Sequence, residues 1–170
     1  MIKYLVFTVL ILCFEANINA QIYQWRGTDR SAVYPDTNLS DSWPTEGLSP
    51  VLSIEGIGFG YGSPTITETH IYVAGMIDTT GYVFCFDRNG NKCWQTKYGG
   101  EFTYKFLGSR GTPTVENDRL YYAGSYGDVV CLDCKTGSVI WKINSFDLYG
   151  GAPIKWGYTE SPLLYEDLII

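Results

Sequence analysis

Cys131-Leu132-Asp133-Cys134-Lys135-Thr136-Gly137-Ser138-Val139-Ile140-Trp141 places two short apolar runs on either side of a polar turn. An echo lies upstream, in Cys85-Phe86-Asp87-Arg88-Asn89-Gly90-Asn91-Lys92-Cys93-Trp94. Asp, then Gly, then Trp recur in order, with one residue fewer in the first turn. Each residue type has a physical part to play. The Asp and Thr side chains satisfy backbone groups inside the turn, Gly supplies a positive φ, and the flanking β-formers make the arms of a hairpin. Trp at the end of the outer arm has the area to cover a junction between neighbouring units.

Working outward, the period becomes explicit. Ser63-Pro64, Thr112-Pro113 and Ser161-Pro162 put their prolines 49 residues apart, and an aliphatic residue follows seven positions after each: Ile71, Leu120 and Ile169. Gly75 and Gly124 keep the same spacing. Such a period marks a repeat architecture. The second unit predicts four strands: Thr114-Val115, Leu120 to Ala123, Val129 to Leu132, and Val139 to Trp141. The first predicts Ile71 to Ala74, Tyr82 to Phe86, and Lys92 to Trp94. The middle strands are apolar on both faces, whereas a sheet with one wet face alternates. Sheets covered on both sides suit stacked blades. No stretch sustains a 3.6-residue period, so few helices are expected. The competing architecture is a two-sheet sandwich, which rarely repeats so evenly.

These residues resemble the pyrroloquinoline-quinone-like (PQQ-like) β-propeller repeat. Its hallmark is a small residue, Asp, Thr-Gly and then Trp. Cys131, Asp133, Thr136, Gly137 and Trp141 match it in order and spacing; Cys85, Asp87, Gly90 and Trp94 match with Asn89 in the Thr place. Trp25 to Arg30, Trp43-Pro44 and Pro50 to Leu52 are similar to the lead-in of secreted bacterial relatives of the propeller subunit of the outer-membrane β-barrel assembly machinery. The resemblance implies an all-β, quinoprotein-type propeller. Its parts would be a lead-in over 21–62, blades over 63–111 and 112–160, and the first strand of a further blade over 161–170. It also implies a ring-closing strand in the lead-in, for which Val51 to Ile54 is the candidate. Two blades do not close a ring, so the chain reads as the N-terminal part of a longer protein.

Composition and charge narrow the function. The chain has 170 residues, with 12 Lys+Arg against 18 Asp+Glu, a formal charge of -6. That balance disfavours nucleic acid, whose binders need a basic face. Residues 1–20 read as an export signal: Lys3, an apolar run from Tyr4 to Phe14, then Asn19-Ala20 before Gln21. The run is too short to span a bilayer comfortably, so no transmembrane segment is expected once it is removed. Export implies periplasm, cell surface or medium, where disulfides are tolerated.

The loops between successive blades, Lys97 to Gly111 and Asn144 to Glu160, would face the central channel. There Arg110, Trp156, Tyr158 and Glu160 could make a polar ligand site, or could instead lock the blade junctions. No catalytic residue and no metal site is assigned. Ser63, Ser161 and the single histidine, His70, form no nucleophile set. Of the cysteines beyond the signal, Cys85 and Cys93 flank one hairpin, and Cys131 and Cys134 have the C-x-x-C spacing of redox and zinc sites. Zinc would need further ligands, and the disulfide pairing stays open. The leading expectation is a non-catalytic scaffold that binds a protein or envelope component, with no cofactor. The resemblance also admits a PQQ-dependent dehydrogenase holding PQQ with calcium, and exposed aromatics admit a carbohydrate-binding propeller.

Overall fold

Asp133 organises the outer turn of the second unit as its sequence predicts. Its Oδ1 accepts from the amides of Lys135 (3.1 Å) and Thr136 (2.7 Å) and from Thr136 Oγ1 (2.8 Å). Gly137 closes the turn at φ 72°. In the first unit Asp87 accepts from the amides of Asn89 and Asn91, each at 2.9 Å, and Asn91 Nδ2 adds a bond of 2.8 Å. Asn91 therefore does there what Thr136 does in the second turn. These bonds, first those from the Thr136 side chain, hold the Asp133 carboxyl below its ordinary value of 3.8. A lowered folded value stabilises the turn fully above 3.8 and loses that stabilisation as pH falls through the lower value. An NMR titration of Asp133 should therefore give a midpoint below 3.8, with the Thr136 amide shifting in step. A midpoint at or above 3.8 would show the turn unbonded.

The computed structural model describes residues 21–170; the segment read as an export signal, 1–20, lies outside the described residues. Among the described residues, eleven strands and one short helix are formed. The first blade contains β2 (Thr65–Ile66), β3 (His70–Ile77), β4 (Thr80–Asp87) and β5 (Lys92–Gly100). The second contains β6 (Thr114–Glu116), β7 (Arg119–Ala123), β8 (Asp128–Asp133) and β9 (Val139–Asn144), and β1 (Ile22–Tyr23) adds to its first strand. All neighbouring pairs are antiparallel. Helix α1 (Ser145–Tyr149) follows, capped by Asn144, and β10 (Leu164–Tyr165) with β11 (Leu168–Ile169) makes a hairpin over the stretch read as the next blade's start. The strands expected in both units are formed, and the sheets do not close into a ring among the described residues.

Period-2 alternation sends the two faces of each blade to different neighbours. Tyr72, Ala74, Val83, Cys85 and Tyr98 of the first blade meet Val115, Leu120, Tyr122, Val130 and Leu132 of the second in one buried cluster. Side chains of this size contribute roughly 1.5–3 kcal/mol each when fully buried, so this contact dominates the packing of the two blades. The opposite face of the first blade presents Ile71, Val73, Phe84 and Phe86, over which Ile54 and Ile57 of the lead-in pack.

Polar contacts repeat with the same phase. The Ser63 amide donates to Thr112 Oγ1 at 3.2 Å, and the Thr112 amide to Ser161 Oγ at 2.9 Å. Thr65 Oγ1 donates to the Pro113 carbonyl at 2.5 Å, and Thr114 Oγ1 to the Pro162 carbonyl at 2.7 Å. The hydroxyl–Pro pairs found in the sequence are thus the stitches between successive first strands. At the outer end, Trp94 Nε1 donates to the Cys134 carbonyl at 2.9 Å and Thr96 Oγ1 to the Gly137 carbonyl at 2.6 Å.

The strand expected in the lead-in would pair with the last blade of a closed ring, not with either of the two blades described. Val51 to Ile54 forms no strand, and Val51 is fully exposed. A strand exists only where a free edge accepts its backbone, and this segment is held by the side chains of Ile54 and Ile57 instead. The edge that the lead-in does occupy is that of β6, paired through Ile22↔Glu116 and Tyr23↔Val115.

Candidate functional site

The loop from Glu101 to Gly111 leaves β5 and carries the polar centre of the molecule. Glu101 is 1% exposed, yet it is fully bonded. Its carboxyl accepts from Tyr98 Oη (2.5 Å), Ser125 Oγ (2.5 Å), the Phe102 amide (2.9 Å) and the Ser125 amide (3.3 Å). Ser125 belongs to the second blade, so Glu101 ties one blade to the next. Burial, then the neighbouring Tyr122 and Glu101, pushes the Tyr98 phenol well above its ordinary value, which keeps it a donor. Next to this group, Tyr122 Oη, Ser109 Oγ and Arg110 Nε are buried without a hydrogen-bond partner. The sequence reading missed Glu101 and Ser125.

Arg110 lies with its guanidinium 4.5 Å over the Phe102 ring and 5.9 Å from the Tyr61 ring, and donates to the Phe106 carbonyl at 2.7 Å. It shares a cleft of about 340 Å³ with Glu160, Trp25, Tyr61 and Thr159. The structure places Arg110 and Glu160 on the walls of one cleft. They do not form an ion pair; among the described residues the one ion pair is Lys142 with Asp128, at 3.1 Å. Tyr158 and Glu160 line a second cleft, of about 210 Å³, on the far face of the second blade, with Trp141, Ile143, Pro162 and Ile169. The Tyr158 amide donates to the Ser125 carbonyl at 2.9 Å. Trp156 lines neither cleft and is half-exposed beside Lys155.

What the first cleft can do follows from its donors. It offers one guanidinium, one carboxyl and several hydroxyls between exposed aromatic rings. Thr112 and Ser161 already bond to neighbouring first strands. A calcium ion, as a quinone site would need, takes six to eight oxygen ligands, drawn from carboxylates, carbonyls and waters. One carboxyl and engaged hydroxyls do not fit that demand, so no step through PQQ or calcium is derived for this cleft. The only histidine, His70, lies in a different cleft, so no imidazole base faces it. The arrangement is suited to gripping polar groups between rings.

Among the described residues, the cysteines Cys85, Cys93, Cys131 and Cys134 are free thiols. Burial pushes Cys85 up to about 12 and Cys134 up to about 11, and raises Cys131. A redox-active C-x-x-C pair needs a lowered thiol, and Cys131 and Cys134 are shifted the other way. Cys85 and Cys131 fill repeat-equivalent buried places opposite Trp94 and Trp141.

The family model described as outer membrane protein assembly factor BamB (PQQ_2) matches residues 43–167. No curated protein matches the sequence significantly. Among solved structures, a europium-containing methanol dehydrogenase is similar at 18% identity and a TM-score of 0.51, over 69% of this chain and 21% of that one. The quinohemoprotein alcohol dehydrogenase from Comamonas testosteroni is similar at 18% identity and a TM-score of 0.47, over 69% and 17%. The chain thus spans about a fifth of the length of the solved structures it matches. At this identity the likeness to the methanol dehydrogenase concerns the fold.

Proposed function

The chain belongs to the family described as outer membrane protein assembly factor BamB (PQQ_2), and on that premise we propose that it serves as a non-catalytic scaffold that binds another protein or component of the cell envelope. The observation that carries the reading is the cleft that Arg110 and Glu160 line together with the exposed rings of Trp25 and Tyr61. Arg, Trp and Tyr are the residue types that anchor protein interfaces, because they combine large rigid area with a polar end. Export goes with the reading: residues 1–20 are removed, and the mature chain begins at Gln21 in the periplasm, on the surface or in the medium. No helix among the described residues is long and apolar enough to cross a membrane.

The test measures binding of the full chain to the purified subunits of an outer-membrane assembly machine from the same host. Saturable binding is expected, weakened at least about tenfold by Arg110→Ala or by Trp25→Ala, which is about 1.4 kcal/mol. Trp25 is exposed, so its replacement leaves the fold intact. A parallel assay adds PQQ, calcium, a primary alcohol and an electron-accepting dye. Alcohol-dependent dye reduction that requires PQQ would overturn the scaffold reading in favour of a dehydrogenase, and so would binding indifferent to both substitutions.

A further inference from the structure

On the outer side of the first blade, three neighbouring strands bring His70, Cys85 and Cys93 together. Their ligating atoms all lie within 4.8 Å of one another. Each arrives for a definite reason. His70 opens β3 and stands two residues before Tyr72, on the same face. Tyr72 pairs directly with Cys85 of β4, which shares that face. Cys93 should point the other way, since strict alternation would seat it opposite Phe86. A β-bulge intervenes: Trp94 pairs with Cys85 and Lys92 with Phe86, leaving Cys93 as the extra residue. Bulges re-aim side chains in this manner, and this one turns Cys93 toward Cys85. Cys85 is buried, His70 half-buried and Cys93 exposed, so the cluster runs from the core to solvent.

Repeat symmetry does not account for this set. The second blade has the same bulge, between Cys131 and Leu132, and the same strand pairings. There Arg119 pairs with Asp133 as His70 pairs with Asp87, and Ile140 takes the place of Cys93. Cys85 has its counterpart in Cys131; His70 and Cys93 have no ligating counterpart. Two ligating side chains were thus placed around the one cysteine that the fold itself supplies, in one blade only.

We propose that His70, Cys85 and Cys93 form a binding site for a thiophilic d10 cation, zinc in the first instance. Thiolate and imidazole are the ligands such ions prefer. Metal–sulfur bonds near 2.3 Å and metal–nitrogen bonds near 2.0 Å set ligand atoms about 3.5–4 Å apart, a closure of roughly an ångström from the observed spread. The exposed Cys93 side chain makes that adjustment. Thr69 Oγ1 lies 2.9 Å from His70 Nδ1; with the proton on Nδ1 and donated to that hydroxyl, Nε2 keeps its lone pair for the metal. Binding one Zn2+ releases the two thiol protons to solvent, and the solvent side of Cys93 leaves room for a water as fourth ligand. Asp87 takes no part, because its oxygens are held by Asn89 and Asn91.

Cobalt is the probe, as a coloured stand-in for zinc. Co2+ added to the full chain, reduced with a phosphine and kept free of oxygen, should produce thiolate-to-cobalt charge-transfer absorption that saturates at one equivalent. Zn2+ should abolish it. Cys93→Ser should lose most of the absorption and weaken binding at least about tenfold; it sits on the surface, so the chain still folds. His70→Gln should shift the d–d bands and weaken binding, while Cys134→Ser should change neither. Absence of charge-transfer absorption in the reduced chain overturns the proposal. Full absorption in Cys93→Ser, or its loss in Cys134→Ser, does the same.

Discussion

Glu101→Ala should lower the unfolding free energy of the chain by about 4 kcal/mol, because it strands four buried donors that each cost about 1–3 kcal/mol when unpaired, with partial relief from rotation of the two hydroxyls. The donors are Tyr98 Oη, Ser125 Oγ and the amides of Phe102 and Ser125. The two hydroxyls can turn away; the two amides cannot. Glu101→Gln separates shape from hydrogen bonding. In one orientation its NH2 meets the Phe102 amide, and in the other the Ser125 amide, so either places one donor against another. Its cost should be smaller, about 1–3 kcal/mol, for a single unsatisfied pair. Urea denaturation followed by tryptophan fluorescence measures both. The expected order is wild type, then Gln, then Ala. If Glu101→Ala stays within about 1 kcal/mol of wild type, water is serving the donors and Glu101 is not the link between blades.

Why the repeat was legible and Glu101 was not comes down to the range of the interactions. Asp133, Thr136 and Gly137 bond within their own turn, so residue type and spacing encode the geometry directly. The Ser/Thr-Pro stitches act at long range, but they recur, and recurrence made them visible. Glu101 acts on Ser125, 24 residues away in the next blade, with no echo elsewhere. A charged residue after Gly99-Gly100 reads as a solvated loop, and only three-dimensional packing reveals its burial. Arg110 and Glu160 stand in equivalent loops between successive blades and could be grouped on that ground, whereas their aromatic neighbours Trp25 and Tyr61 come from a lead-in with no repeat to phase against. Val51 to Ile54 is apolar at three of its four positions, but a strand also needs a partner edge, and none of the described strands pairs with it. The two-residue strand Ile22–Tyr23 that does find an edge is too short to carry any periodicity. Cys85 and Cys93 were legible as the two flanks of one hairpin, but the bulge that turns Cys93 onto the Cys85 face leaves no mark in residue order.

The junction between the two outer hairpins offers a sharper test, because there the motif's Gly and Trp belong to different blades. Gly137 sits at φ 72°, and a Cβ added there would come 2.6 Å from Trp94 Cδ2 and 2.9 Å from Thr96 Oγ1. Two separate penalties face Gly137→Ala. The left-handed backbone costs an alanine roughly 1–2 kcal/mol. Overpacking against the Trp94 ring adds a further 1–3 kcal/mol, on the order of what an extra methyl costs in a tight contact. The ring cannot retreat freely, since Nε1 is bonded to the Cys134 carbonyl and the ring packs on Tyr72, with centroids 5.9 Å apart. Gly137→Ala should therefore destabilise the chain by about 3 kcal/mol. Trp94→Ala alone should cost about 2–3 kcal/mol, below the figure for a fully buried Trp because this one is half-buried. The double variant decides between the two penalties. With the ring gone, Gly137→Ala should retain only its backbone cost of about 1–2 kcal/mol, giving a coupling of about 1–2 kcal/mol in a double-mutant cycle. Strict additivity would mean that the Trp of one blade does not seat on the Gly of the next, and the stacking of repeats inferred from the two motifs would lose its physical basis.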